Sequence, residues 1–168
     1  MNIFFVHSEP RKAARQLCDK HICKMILESV QMLSTAHPEG DAPYGCIKSH
    51  YNHPCTKWAR ASLGNYEWLC EHLDEMCKEY TRRYEKVHKM EPASNWLRCN
   101  YPSAIESDSS LCTEPPQCMP EPCKVNDGTF WSAVKAYRKY YIVEKAYFAK
   151  WKKGGAPMWF VNKDVDSE

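Results

Sequence analysis

"DKHICKMILESVQML", residues 19–33, decides how the rest of the chain is read. Ile22, Met25, Ile26, Ser29, Val30 and Leu33 recur every three or four residues, as one buried face of an α-helix requires. Beside that face His21, Lys24, Glu28 and Gln31 form a second, polar stripe, because residues three or four apart stack on one side of a helix. Upstream, Ser8-Glu9-Pro10 combines a capping hydroxyl, an acidic first turn and a proline whose missing N–H costs nothing there. Ala14, Leu17 and Cys18 extend the apolar face backward, so the spacing predicts one helix from about Pro10 to Leu33. Ile3 to Val6 is a short apolar start.

The helix ends at His37-Pro38-Glu39-Gly40, and a loop with Pro43 and Gly45 leads to "SHYNHPCTKWAR", residues 49–60. Pro54 suits a first helical turn. Trp58, Ser62, Asn65, Leu69, Leu73, Met76, Tyr80, Tyr84 and Val87 then keep a helical stripe, which predicts a second helix over 54–88. From Pro92 to Gly128 six prolines and few apolar residues leave no period, so an irregular, proline-rich excursion is expected. Loops that long in a small domain are usually lids or mobile excursions. Asp127-Gly128-Thr129 opens a third helix, marked by Phe130, Val134, Tyr137, Tyr141, Phe148 and Trp151, and Trp159-Phe160 anchors a tail. The expected fold is all-α, a compact single domain over 1–168 with three main helices and long irregular loops.

A chain of 168 residues that is 43% hydrophobic is sized for one domain with a real core. No apolar run approaches the ~20 residues of a membrane span, and the first residues lack a basic n-region and apolar h-region. A soluble, cytoplasmic protein is expected, in the host cytoplasm if the gene is carried by a phage. Ten cysteines are then read as reduced thiols, with Cys18, Cys70 and Cys77 at apolar helix positions as small hydrophobes. Twenty-three Lys and Arg against twenty-one Asp and Glu give a net charge of only +2, a small excess for a protein that grips duplex DNA through many phosphates.

Cysteine and histidine are plentiful, yet no Cys-x-x-Cys pair exists. His50-x-x-His53-x-Cys55 is the tight cluster, and zinc could form there only with a distant further ligand. The simpler reading is that these histidines cap helix two or touch a ligand, so no metal and no cofactor is expected. Six scattered glycines exclude phosphate-loop and dinucleotide motifs, and no Gly-x-Ser-x-Gly elbow supports a hydrolase triad. Lys24 and Glu28 are either a surface i,i+4 pair or a partly desolvated carboxylate held by a cation, the balance that tunes a general acid or electrostatic stabiliser. Tyr137, Arg138, Tyr140 and Tyr141 lie in a segment of interleaved aromatics and cations, which either stacks bases or forms core with snorkelling lysines.

Asp19-Lys20-His21, with Glu28 seven residues after the histidine, resembles the phage endonuclease V-type pyrimidine-dimer DNA glycosylases. "NHPCTKWARASLGNYEWLCEHLDEM" (52–76) is similar to that family's second helix, and "AYRKYYIVEKA" (136–146) to its aromatic-basic C-terminal segment. The resemblance implies an N-glycosidase acting on damaged or modified DNA. It gives Glu28 the electrostatic and proton-handling role, His21 a supporting contact, and the α-amine of Met1 the part of nucleophile toward the sugar C1′. Lys24, Gln31, Asn52, His53, Arg60, Tyr137, Arg138, Tyr140 and Tyr141 are then the candidate substrate contacts, with Asn52, His53 and Arg60 chosen because they stand at the start of the second helix, whose N-terminus favours anions. Two departures stand out. Asn2 follows the initiator Met, which implies that Met1 is retained, and Leu27 and Gln31 stand where the family carries phosphate-holding arginines. The second departure suggests a smaller substrate, such as a cyclic signalling nucleotide met in phage evasion of host defence. A noncatalytic module that binds nucleic acid or protein is the reading from another class. The sequence carries no signal for oligomeric state.

Overall fold

The computed structural model describes residues 1–38 and 49–167, so the loop read from Pro43 and Gly45 lies outside the described residues. The described chain is helical, without a strand. Its elements are α1 (Pro10–Gln16), α2 (Asp19–Ser34), α3 (Pro54–Ala61), α4 (Leu63–Tyr84), α5 (Glu91–Cys99), α6 (Ser132–Tyr140) and α7 (Met158–Val161). A 3₁₀ turn covers Glu121–Cys123, and a π-helical turn, Tyr141–Lys145, continues α6. Among the described residues no helix is long and apolar enough to cross a membrane.

The α class expected from periodicity holds, but the count of three main helices does not. The first predicted helix breaks at Leu17 and Cys18, both extended at ψ 141° and 161°. Tertiary partners take over the hydrogen bonds that continuous helix would have made. The buried Arg83 guanidinium donates to the carbonyls of Arg15 (3.0 Å) and Leu17 (2.8 Å). The Cys18 N–H donates to the Tyr141 hydroxyl, and the Asp19 N–H to the Lys150 carbonyl at 2.8 Å. Because every apolar position stays in phase across the kink, the pattern alone does not reveal it.

The second predicted helix breaks at Ser62, whose extended backbone (φ −152°, ψ 160°) lets its hydroxyl accept the Asn65 N–H. The next orphan donors of α4 find partners in the proline-rich excursion: Leu63 N–H to the Ser107 carbonyl and Gly64 N–H to that of Ser109, both 2.9 Å. Gly64 is required here, since a Cβ would lie 2.4 Å from the Ser110 carbonyl oxygen. Buried Asn65 binds Thr113 through both its amide oxygen and its amide nitrogen, each at 2.7 Å. The excursion is therefore not irregular throughout: its first part is α5, opened by Pro92, and its later part is fastened along the start of α4. The expected third helix starts later, at Ser132, and the π-helical turn ends its regular stripe.

Helix α4 lies at the centre and packs against α1, α2, α3 and α5. The N-terminal segment Ile3–Val6 runs through the core fully buried. Phe5 meets Trp58, Trp68 and Tyr137, while Phe4 stacks on the His21 ring at 4.0 Å. The C-terminal tail closes the back, with Trp159 fully buried and its Nε1–H donating to Gln16 Oε1. Cys18, Cys70 and Cys77 are buried among the helices, as their apolar spacing predicts.

Two consequences can be measured. Replacing Arg83 by Met strands the carbonyls that kink α1 into α2 together with its carboxylate partners, and should lower the unfolding free energy by about 3–5 kcal/mol in a denaturant titration. His72 is buried, its Nδ1–H donates to the Pro10 carbonyl (2.9 Å), and burial pushes its pKa down to about 4. A histidine whose folded pKa lies below its unfolded value stabilises fully above the unfolded value and progressively less as pH falls toward the folded one. Stability should thus fall between about pH 6.5 and 4, by up to about 3 kcal/mol from this group. Replacing His72 by Gln should flatten that part of the pH profile.

Candidate active site

Because Ile3–Val6 is held in the core, the chain start is delivered to α2. The Met1 side chain is 1% exposed while the residue as a whole is half-buried, so solvent reaches it at its backbone amine end. That amine lies 3.6 Å from Glu28 Oε2. The same oxygen accepts the Asn2 N–H at 3.0 Å, and Lys24 Nζ lies 3.4 Å from Oε1. Glu28 is 8% exposed, a carboxylate mostly withdrawn from water and held between two cations and a backbone donor. The polar stripe of α2 is therefore more than a surface ion pair, although Lys24 itself stays exposed.

Asn2 joins four parts of the fold. Its Nδ2 donates to the Cys118 carbonyl (2.9 Å), and its Oδ1 accepts the Tyr137 hydroxyl (2.6 Å) and the Ile3 N–H. The Tyr137 hydroxyl in turn accepts the Cys118 N–H, and the Cys55 thiol points at both Asn2 Oδ1 and Cys118 Sγ. Neither Asn2 nor Cys118 was singled out by spacing. The signal for Asn2 is its place beside the amine, whereas Cys118 is 63 residues from its partner Cys55 and has no local signature.

His53 caps α3, its Nδ1 accepting the Cys55 N–H at 3.2 Å, as the capping reading expects. Burial, reinforced by the charges of the Met1 amine and His50, holds its pKa below the ordinary value. Burial raises the Cys55 thiol well above its usual range, while the hydrogen bond it donates lowers Cys118 to about 7. His21 is neutral across the physiological range: burial first, then Lys145, Lys24 and Lys20, push it down to about 3. Its ring nitrogen pairs with the Tyr141 hydroxyl, so His21 sits behind the Glu28 face as a packed histidine.

The remaining candidates divide. Tyr137 and Tyr141 are fully buried and cannot stack a base, because their rings fill the core and their hydroxyls serve Asn2 and Cys18. Arg138 is likewise buried, donating to the carbonyls of Val6, Val165 and Ser167, so it ties the two chain ends together rather than facing substrate. Arg60 is buried as well, donating to the Tyr51 carbonyl and lying 3.9 Å from the exposed Tyr51 ring. Asn52 is exposed beside His53, and Gln31 is half-buried one turn beyond Glu28. Tyr140 is the one of the four C-terminal candidates that is only half-buried, with Lys145 over its ring at 4.5 Å. Tyr147 and Phe148 extend that aromatic-basic surface, Phe148 with Lys20 at 4.6 Å. Helical spacing puts Tyr137 and Tyr141 on the apolar stripe of this helix, and both are buried there, so of the two readings of the segment the core one holds for them.

Residues 1–92 match the family model described as pyrimidine dimer DNA glycosylase. Neither a curated protein nor a solved structure matches the chain. The matched span covers more than half of the 168 residues and includes the chain start, Glu28 and the His53 cap. The chain belongs to the pyrimidine dimer DNA glycosylase family.

Proposed function

We propose that the protein is an N-glycosidase that releases a damaged or modified base from DNA, using the Met1 α-amine as nucleophile and Glu28 as its electrostatic partner. The observation that carries this reading is the pairing of a solvent-reached amine, on an otherwise buried Met1, with a mostly buried carboxylate 3.6 Å away. The family match supports DNA as substrate and gives no support to a cyclic nucleotide or a noncatalytic module.

In its uncharged form the amine attacks C1′ of the target nucleotide. The new N–C1′ bond forms as the glycosidic bond breaks, and its electron pair leaves with the base, which takes up a proton. Glu28 stabilises the positive charge developing on the sugar, and in so dry a setting that interaction is worth more than in water. Loss of a proton from the attached nitrogen and opening of the sugar ring give an imine, which water hydrolyses. Lys24 fixes one carboxylate oxygen, and the Asn2 N–H fixes the other, so Glu28 is oriented before substrate arrives. His21 is a positioning residue that holds Phe4, and through it the chain start.

For the substrate, Lys20, Lys24 and Lys145 converge around His21, close enough for all three charges to act on it. With Tyr140, Tyr147 and Phe148 they offer phosphate neutralisation and base stacking on one surface. Leu27, 37% exposed, adds an apolar contact where a phosphate ligand would otherwise stand. Gln31 follows Glu28 by one turn of α2, and Asn52 precedes the His53 cap of α3, which keeps both as candidate substrate contacts.

Glu28→Gln keeps an acceptor for the Asn2 N–H but removes the charge. Base release from ultraviolet-irradiated duplex DNA, followed by mass spectrometry, should fall at least about 100-fold in this variant, with the unfolding midpoint little changed. Equal release by wild type and variant would refute the assignment. Placing one glycine before Met1 shifts the amine by roughly 3.5 Å. Borohydride trapping of a protein–DNA adduct should then disappear while the salt-dependent DNA affinity stays within about twofold of wild type.

A further inference from the structure

His53, Cys55 and Cys118 place one ligand atom each within 4.8 Å of one another. Cys55 Sγ and Cys118 Sγ are 3.5 Å apart. A tetrahedral zinc ion with Zn–S bonds of about 2.3 Å and a Zn–N bond of about 2.0 Å spans ligand pairs roughly 3.5–3.8 Å apart. The trio therefore needs only a small contraction to close on an ion.

We propose that His53, Cys55 and Cys118 form a zinc site with three protein ligands, next to the chain start, that fastens the excursion after α5 to the first turn of α3. Spacing alone gives His50-x-x-His53-x-Cys55 with a missing distant ligand; the fold brings Cys118 to His53 and Cys55 and leaves His50 out of the group, contrary to the metal-free expectation. All three side chains are aimed by fixed backbone. His53 and Cys55 sit at the cap and first turn of α3, while the Cys118 backbone is held at both ends, its N–H by the Tyr137 hydroxyl and its carbonyl by Asn2 Nδ2. Two thiolates and an imidazole favour zinc over magnesium or calcium, which take oxygen ligands. Three protein ligands leave the fourth position for water or another group.

Loading balances simply. Each cysteine gives up its thiol proton to solvent, and the ion exchanges waters for two sulfurs and one ring nitrogen. The Cys55 N–H gives up its bond to His53 Nδ1, either because that nitrogen binds the ion or because it becomes the protonated one when the other nitrogen does. The product carries no net charge, two thiolates against a divalent ion, so loading leaves the net charge beside the amine unchanged. The site stands whether or not Met1 acts as a nucleophile, and its test uses no DNA.

The full chain, purified under reducing conditions and stripped with a chelator, is titrated with cobalt(II) and then zinc. One equivalent of cobalt should produce thiolate-to-cobalt charge transfer and the intense d–d bands of a four-coordinate ion, and zinc should bleach both. Cys118→Ser and His53→Gln should each weaken cobalt affinity by more than the roughly 10–100-fold typical of losing an outer-shell partner. Cys99→Ser, at an exposed position remote in sequence, should leave the spectrum unchanged. Absence of a stoichiometric thiolate band in the wild type overturns the site, as does a spectrum indifferent to Cys118→Ser. Recovery of Cys55 and Cys118 as a disulfide that resists mild reductant also overturns it. Because the wild-type titration decides the matter by itself, a variant that fails to fold does not rescue the idea.

Discussion

A non-helical apolar segment cannot be buried unless its backbone groups find partners, and meeting that demand for Ile3–Val6 shapes this protein. Four consecutive hydrophobic residues are removed from water on both sides, so the chain start is pinned where a terminus is ordinarily frayed. Arg138 takes the Val6 carbonyl, Asn2 Oδ1 takes the Ile3 N–H, and Glu28 takes the Asn2 N–H. The carboxylate is thus a structural acceptor for the chain start and, by the same placement, the neighbour of its amine.

Comparable substitutions of partner occur at each break in the helices. Arg83 receives no solvent and spends its donors on the end of α1, on Asp19 and on Glu79. Asn65 binds Trp58 and Thr113, and so locks the long excursion onto the α3–α4 corner. A polar side chain buried in this way is strongly tied to one geometry, since leaving its partner unsatisfied costs a full desolvation. These clamps make the long loop a fixed part of the wall and bring Cys118 against Cys55.

Around the amine, charge and burial are divided between neighbours. Glu28 has cations on both oxygens, whereas His21, one aromatic layer behind it, is kept neutral by burial and by surrounding lysines. A neutral His21 adds no positive charge to compete for the carboxylate. The lysines responsible are themselves at or near the surface, so the same field that suppresses protonation of His21 attracts polyanions from solution.

The α class, the buried face of residues 19–33, the Pro54 start of α3 and the placing of Lys24 and Glu28 on one helix edge were all legible in the sequence. Each rests on local spacing, and helical periodicity of 3.6 residues is a local property. The breaks at Leu17–Cys18 and at Ser62 were not, because their apolar positions stay in phase and the backbone groups released there are satisfied from far along the chain: the carbonyls of Arg15 and Leu17 by Arg83, the Cys18 N–H by the Tyr141 hydroxyl, and the Leu63 and Gly64 N–H groups by the Ser107 and Ser109 carbonyls. Spacing put Tyr137 and Tyr141 on the apolar stripe of the third helix, where both are buried, whereas the exposure of Tyr147, beyond the π-helical turn, follows no helical repeat. The chemical residues followed the same division. Sequence determined that a carboxylate and a lysine share one helix edge, but only tertiary packing decided that the Met1 amine would meet that carboxylate and that the Cys118 thiol would meet Cys55, since both arrive by contacts that the chain closes only when its core forms.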